Sequence, residues 1–272
     1  MTDIRLLVLD IDGTIAGISN EISPSVIEAI QAVQEKGIQV AIATGRMYRS
    51  ALRFHQAINS PLPLLAYNGA WIQNPLTREI HRQLNVPIQA ALELLDYFEQ
   101  PEWRSRVGVH FYSNDCLYVR EINADTEGYS RRSGVEPIAV GDLRTLLQHP
   151  ITKVLALADT PQLIPKIAAS LKARYTPEQL YLTQSSELFF ETIHPQANKG
   201  SGVRFLAEEF LGLKPENVMA IGDNFNDLEM LEYAGLGIAM GDAPNAVKEV
   251  AQWVAPDVEG EGVAAAIQRF LL

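Results

Sequence analysis

Apolar residues in this chain fall into short, nearly unbroken runs towards both ends and into alternating or helical spacing between them. The first run, residues 4–9 with only Arg5 interrupting, stops abruptly at Asp10-Ile11-Asp12-Gly13-Thr14. Such a run predicts a strand buried on both faces, the condition of strands in a parallel sheet. Ser23-Pro24 then reads as an N-cap with proline at the first helical position. Val26, Ile27, Ile30 and Val33 form one apolar helical face, which Gly37 ends. Residues 38–43 predict a second strand leading into Thr44-Gly45-Arg46. Strand, helix and strand in so few residues make a βαβ unit, with parallel strands and a right-handed crossover. Thr44 and Gly45 should therefore reach the same sheet edge as Asp10 and Asp12. A helix over residues 49–58 and a short strand over 64–67 follow, the latter ending in Asn68-Gly69. Trp71-Ile72, the Asn74-Pro75 turn and residues 79–81 read as a hairpin leaving the sheet.

The pattern changes over residues 84–187. An amphipathic helix over 88–99 precedes two strands, 106–111 and 116–120, which Ser113-Asn114-Asp115 joins as a hairpin. A strand over 153–158, a helix from Pro161 to Lys172 and a second hairpin over 180–191 complete this stretch. This is antiparallel α+β material set between pieces of a parallel sheet. The parallel pattern then returns. Asn198-Lys199-Gly200 opens a helix, and residues 218–221 form a buried strand ending in Gly222-Asp223-Asn224-Phe225-Asn226-Asp227. Residues 236–240 are another strand with Gly241-Asp242 at its tip, and a strand at Trp253-Val254 and a helix over 262–270 close the chain. The expected architecture is α/β: a doubly wound, Rossmann-like parallel-sheet core made of residues 1–83 and 188–272, with residues 84–187 as an inserted α+β domain.

Composition narrows the function classes. With 272 residues, 47% hydrophobic and 20% charged, the chain has the make-up of an ordinary globular protein with a substantial core. A net charge of −11 argues against a nucleic-acid backbone as partner, since phosphate contacts need clustered Lys and Arg. It leaves room for a small phosphorylated substrate, for which two or three local cations suffice. The single cysteine, Cys116, excludes an intramolecular disulfide. No apolar run has the length of a membrane span, and the first strand begins at once, without room for a signal peptide. The expected location is cytoplasmic. The five histidines, scattered along the chain, show no metal-ligand spacing.

The chemistry is concentrated at strand ends. Side chains two apart on a strand point the same way, so Asp10 and Asp12 are expected to converge beyond the first strand. The carboxyl edge of an open α/β sheet is where ligands bind. A calcium loop is excluded, because its sixth position requires glycine and here holds Ile15. Together the strand ends gather Asp10, Asp12, Thr44, Lys199, Asp223, Asn226 and Asp227. So many carboxylates repel a phosphate dianion unless a cation sits among them. Mg²⁺ suits such oxygen donors, and Lys199 adds positive charge for phosphate. A carboxylate is a competent nucleophile toward phosphorus, and a second one is placed for acid–base work on the leaving alcohol. Arg46 is left without a role, and Asp227 has the alternative of being a plain helix N-cap.

Asp10-Ile11-Asp12-Gly13-Thr14, Thr44-Gly45-Arg46, Lys199-Gly200 and Gly222 to Asp227, in this order, resemble the four motifs of the haloacid dehalogenase-like phosphatases. Asn68-Gly69-Ala70, the insertion between the second and third motifs, and Gly237 to Ala243 resemble the Cof-type branch, subclass IIB. The resemblance implies that Asp10 is the phosphorylated nucleophile and Asp12 the general acid/base. It implies Mg²⁺ held by Asp10, the Asp12 main-chain carbonyl and Asp223, supported by Asp227. Thr44, the Gly45 backbone and Lys199 would bind the phosphoryl group, with Asn226 close by. The insertion would be a cap that chooses the substrate. The function implied is Mg²⁺-dependent hydrolysis of small phosphorylated metabolites, sugar phosphates foremost, through an aspartyl-phosphate. A phosphotransferase or mutase on the same core is the next reading, and a non-catalytic sensor of phosphometabolites the third.

Overall fold

A computed structural model describes residues 3–272, and they divide into two compact units. One unit comprises the chain up to Arg82 together with Asn198–Leu272; the other is Gln83–Ala197.

The first unit is built on a five-stranded parallel sheet. Its spatial order is Trp253–Val254, Leu236–Ala239, Val218–Gly222, Leu6–Leu9 and Gln39–Ile42. Leu6–Leu9 is paired on both sides and buried at every position, which explains its unalternated apolar run. Since all strands run the same way, Asp10, Ala43, Asp223 and Met240 emerge at one edge. Helix Pro24–Glu35 starts as the sequence indicates, with the Ser23 hydroxyl accepting from the Val26 N–H. Its buried positions, Val26, Ile30 and Val33, fall on one stripe. The core on one side of the sheet joins Leu6, Val8, Ala41, Val218 and Ala220 with Val203, Leu206, Met230 and Leu231 of the flanking helices. A smaller three-stranded sheet, Leu64–Ala66, Trp71–Gln73 and Ile80–Gln83, touches the main one through a parallel bridge between Leu65 and Ala43.

Helix Lys199–Arg204 is opened by a reciprocal cap. The Asn198 side chain accepts from the Ser201 N–H, and the Ser201 hydroxyl accepts from the Asn198 N–H. At Phe205 this helix passes into a π-helix, Phe205–Phe210.

The second unit is a six-stranded sheet ordered Tyr181–Ser186, Phe189–Ile193, Lys153–Ala158, Val107–Ser113, Cys116–Val119 and Pro137–Ala139. Helices Ile88–Phe98 and Leu163–Lys172 share one core with Phe111, Val154, Ala156 and Phe190. The strand register sets His110, Tyr112, Lys153 and Glu191 on the opposite face. There Lys153 and Glu191 form a fully buried ion pair of 2.9 Å. Asn114 and Asp115 both adopt positive φ, giving the tight two-residue hairpin that their identities favour.

Two expectations are corrected here. The boundary placed between 187 and 188 lies at Ala197/Asn198, because Phe189–Ile193 pairs on both sides within the second sheet. Helix Ala124–Ser133 was not expected at all, since only Tyr129 and Ala124 relieve its polar run. Its caps were nonetheless readable: Asn123 accepts from the Thr126 N–H, and Gly134 ends the helix at positive φ.

Candidate active site

Beyond Leu9 the chain turns tightly, with the N–H groups of Thr14, Ile15 and Ala16 all directed at the Ile11 carbonyl. The two leading aspartates leave this turn toward different partners, because strand alternation stops where the strand stops. Asp10 points into a buried cluster, while Asp12 turns to Arg46. Gly13 makes the turn possible, with φ of +76° and a space in which a Cβ would lie 2.3 Å from Asp223 Oδ2.

Lys199 is the centre of the buried cluster. Its Nζ lies 2.8 Å from Asp10 Oδ1 and 2.6 Å from Asp227 Oδ1, with no solvent exposure. Burial works against its charge, but the two carboxylates override that and hold it above the usual lysine range. Asp10 is pushed up to about 7, chiefly by burial, and the Asp227 and Asp12 charges add to this against the opposing pull of Lys199. Burial, with Asp227 and Asp10 nearby, likewise raises Asp223 well above the ordinary range. Asp223 Oδ1 accepts from the Thr14 hydroxyl at 3.1 Å.

Asp227 is not the plain N-cap weighed for it, since its side chain makes no cap hydrogen bond to the helix Leu228–Tyr233 that it precedes. Its Oδ2 accepts from the N–H groups of Asp223 and Asn224, both at 3.0 Å, which fastens the loop, while Oδ1 takes Lys199. Three of its acceptor positions are thus used within the protein. One carboxylate oxygen each from Asp10, Asp223 and Asp227 lies within 4.8 Å of the other two. Hard oxygen donors at that spacing, two of them resisting ionisation, fit a divalent cation such as Mg²⁺. The Asp12 carboxylate stands outside this group, so only its main-chain carbonyl remains for the metal role considered for it.

Arg46 is the residue that sequence reasoning passed over. Its Nε and Nη2 each donate at 2.7 Å to the two oxygens of Asp12, and Nη2 also donates to Asn20 Oδ1 at 2.6 Å. A bidentate fork of this kind fixes a carboxylate's orientation as well as its charge. The signal was the motif itself, which ends a strand at the same edge. Thr44 is buried, and its hydroxyl oxygen accepts from the Arg46 N–H at 3.2 Å. Gly45 lies in the same short segment between them. Asn226, also buried, donates from Nδ2 to Asn68 Oδ1 at 2.9 Å. Its Oδ1 has no hydrogen-bond partner among the described residues.

Comparison with known proteins agrees with this geometry. Residues 7–267 match the family model described as haloacid dehalogenase-like hydrolase. The chain is 30% identical to pyridoxal phosphate phosphatase YbhA of Escherichia coli, over 98% of this chain and 99% of that one. It is 29% identical to 5-amino-6-(5-phospho-D-ribitylamino)uracil phosphatase YitU of Bacillus subtilis, with 97% of each covered. A haloacid dehalogenase-like hydrolase from Bacteroides thetaiotaomicron superposes with a TM-score of 0.84 at 25% identity, covering 98% of this chain and 100% of that one. Motif order, parallel-sheet topology, buried carboxylate–lysine cluster and full-length similarity converge: the chain belongs to the haloacid dehalogenase-like hydrolase family.

Proposed function

We propose that this protein is a Mg²⁺-dependent phosphatase of small phosphorylated metabolites, sugar phosphates foremost, working through an aspartyl-phosphate on Asp10. The observation that carries the reading is Lys199 held between Asp10 and Asp227, beside three carboxylate oxygens within 4.8 Å of one another. A lysine fixed there fits a phosphoryl oxygen alongside the nucleophile, and the named relatives are phosphatases of small phosphorylated compounds.

In this reading an Asp10 oxygen attacks phosphorus while the bond to the leaving oxygen breaks, and Asp12 delivers a proton to that oxygen. Asp12 then takes a proton from water, which attacks the aspartyl-phosphate, breaks the bond to Asp10 and frees inorganic phosphate. Lys199, Thr44, Asn226 and the Gly45 backbone hold the phosphoryl oxygens as charge redistributes over them. Asp10, Asp223 and the Asp12 carbonyl, with Asp227 behind them, would hold Mg²⁺, whose charge would offset that of the carboxylates and the phosphoryl group. We assign substrate choice to the inserted unit, Gln83–Ala197.

The test is phosphate release from a panel of hexose phosphates, pyridoxal phosphate and flavin mononucleotide, with Mg²⁺ and with chelator. Release that needs Mg²⁺ is expected; a folded protein that releases phosphate from nothing on the panel overturns the reading.

Arg46→Met separates chemistry from binding. It removes the fork that orients Asp12 but leaves Lys199, Thr44 and Asn226 in place. We expect kcat to fall by roughly 10- to 100-fold, the usual effect of a misplaced catalytic group. Inhibition by inorganic phosphate should change by less than about threefold, since the proposed phosphoryl ligands stay in place. An unchanged kcat would show that Asp12 needs no such orientation.

A further inference from the structure

Tyr67, Asn68 and Gly69 have φ of 51°, 54° and 82°, three successive residues in the left-handed region. Glycine and asparagine adopt it readily, but a buried tyrosine there is an outlier that its surroundings must impose. Those surroundings are the phosphoryl-binding segments. The Tyr67 N–H donates to the Arg46 carbonyl and the Asn68 N–H to the Thr44 carbonyl, both at 2.9 Å. A Cβ on Gly69 would lie 2.7 Å from the Asn198 carbonyl oxygen and 3.2 Å from Gly202 Cα, so the turn abuts the start of the Lys199 helix. Asn68 Oδ1 receives the Asn226 amide at 2.9 Å. One turn thereby ties together the Thr44 loop, the Lys199 helix and the loop after Gly222.

We propose that Asn68 is a positioning residue: its carboxamide anchors one N–H of Asn226, so that the other N–H is presented to the phosphoryl group. Among the described residues the buried Asn226 Nδ2 makes one hydrogen bond, to Asn68 Oδ1, so the second of its two N–H groups remains as a donor for a ligand. The proposal rests on reading Asn226 as a phosphoryl ligand. Asn68 suits the task because asparagine tolerates left-handed backbone and carries the acceptor on a short stem.

The test uses inorganic phosphate as probe, titrated calorimetrically in Mg²⁺, so that it requires no turnover and remains separate from the phosphatase assay. Asn68→Gly keeps the left-handed turn and removes the side chain that carries the acceptor. We expect it and Asn226→Ala each to weaken phosphate binding by about fivefold, the size of one hydrogen bond. Because Asn68 acts through Asn226, the double variant should lose no more than about a further twofold. Additive losses, or undiminished affinity in either single variant, would overturn the proposal. An independent readout in the wild-type protein is the pair of Asn226 side-chain amide protons. One should be protected from exchange in the free protein, and only the other should shift on adding phosphate. Protons that move together would contradict the anchoring.

Discussion

Asp10→Asn removes turnover, by at least about 10⁴-fold on the scale seen when a nucleophile is deleted, while the fold survives or gains stability. The amide matches the carboxylate in shape but cannot attack phosphorus. Asp10 is 4% exposed, and its charge is opposed by burial and by Asp227 and Asp12, with Lys199 favouring it. Neutralising it relieves that cost, and Lys199 keeps Asp227 as a partner. The linkage has a definite sign. In the metal-free protein the Asp10 carboxyl titrates near 7 when folded, against an ordinary 3.8. Between these values the folded state binds more protons than the unfolded state, so stability falls as pH rises and levels off above about 7. Asp223, shifted the same way, adds to the slope. In Asp10→Asn the slope should be shallower, and stabilisation by Mg²⁺ weaker. Phosphate release and melting temperature, each with Mg²⁺ and with chelator across pH 4–8, read these effects separately. Full turnover in Asp10→Asn would end the aspartyl-phosphate mechanism.

The core was legible because its signals are local and redundant. A buried parallel strand is an apolar run, a crossover helix has a stripe and a cap, and each polar tip follows directly in the chain. Leu6–Leu9, Gln39–Ile42 and Val218–Gly222 form adjacent strands with their tips at one edge. Site details were less legible where a side chain's direction depends on a partner remote in sequence. Asp12 leaves the carboxylate cluster because Arg46, 34 positions later, grips it. Asn68 meets Asn226 across 158 positions, and nothing local to either residue announces the other. The second unit was harder still. Helix Ala124–Ser133 lacks an apolar stripe, so periodicity was silent and only the caps marked it. Phe189–Ile193 reads alone as a strand, but the sheet that owns it is decided by its pairing with Lys153–Ala158.

Lys199→Met should be the most damaging change to the metal-free fold. Lys199 and Asp227 have no solvent exposure, and Asp223 lies within 4.8 Å of both Asp10 and Asp227 through its own carboxylate oxygen. Methionine fills the stem's space but strands three carboxylates together without the cation that compensates them. Removing one member of a buried ion pair costs about 3–5 kcal/mol, because the remaining charge stays desolvated. Two remedies are open to the variant, and both are measurable. Lowering the pH protonates the carboxylates, so its melting temperature should recover toward the wild type in acid. Adding Mg²⁺ substitutes one cation for another, so its metal-induced rise in melting temperature should exceed the wild-type rise. Turnover should nonetheless stay down by about 10²–10³-fold even in saturating Mg²⁺, since a fixed donor to the phosphoryl group is gone. Recovered stability without recovered turnover would place Lys199 in the chemistry. Recovery of both would reduce it to a counter-ion for Asp10 and Asp227, and a chelated variant as stable as the wild type would mean that the cluster is not desolvated.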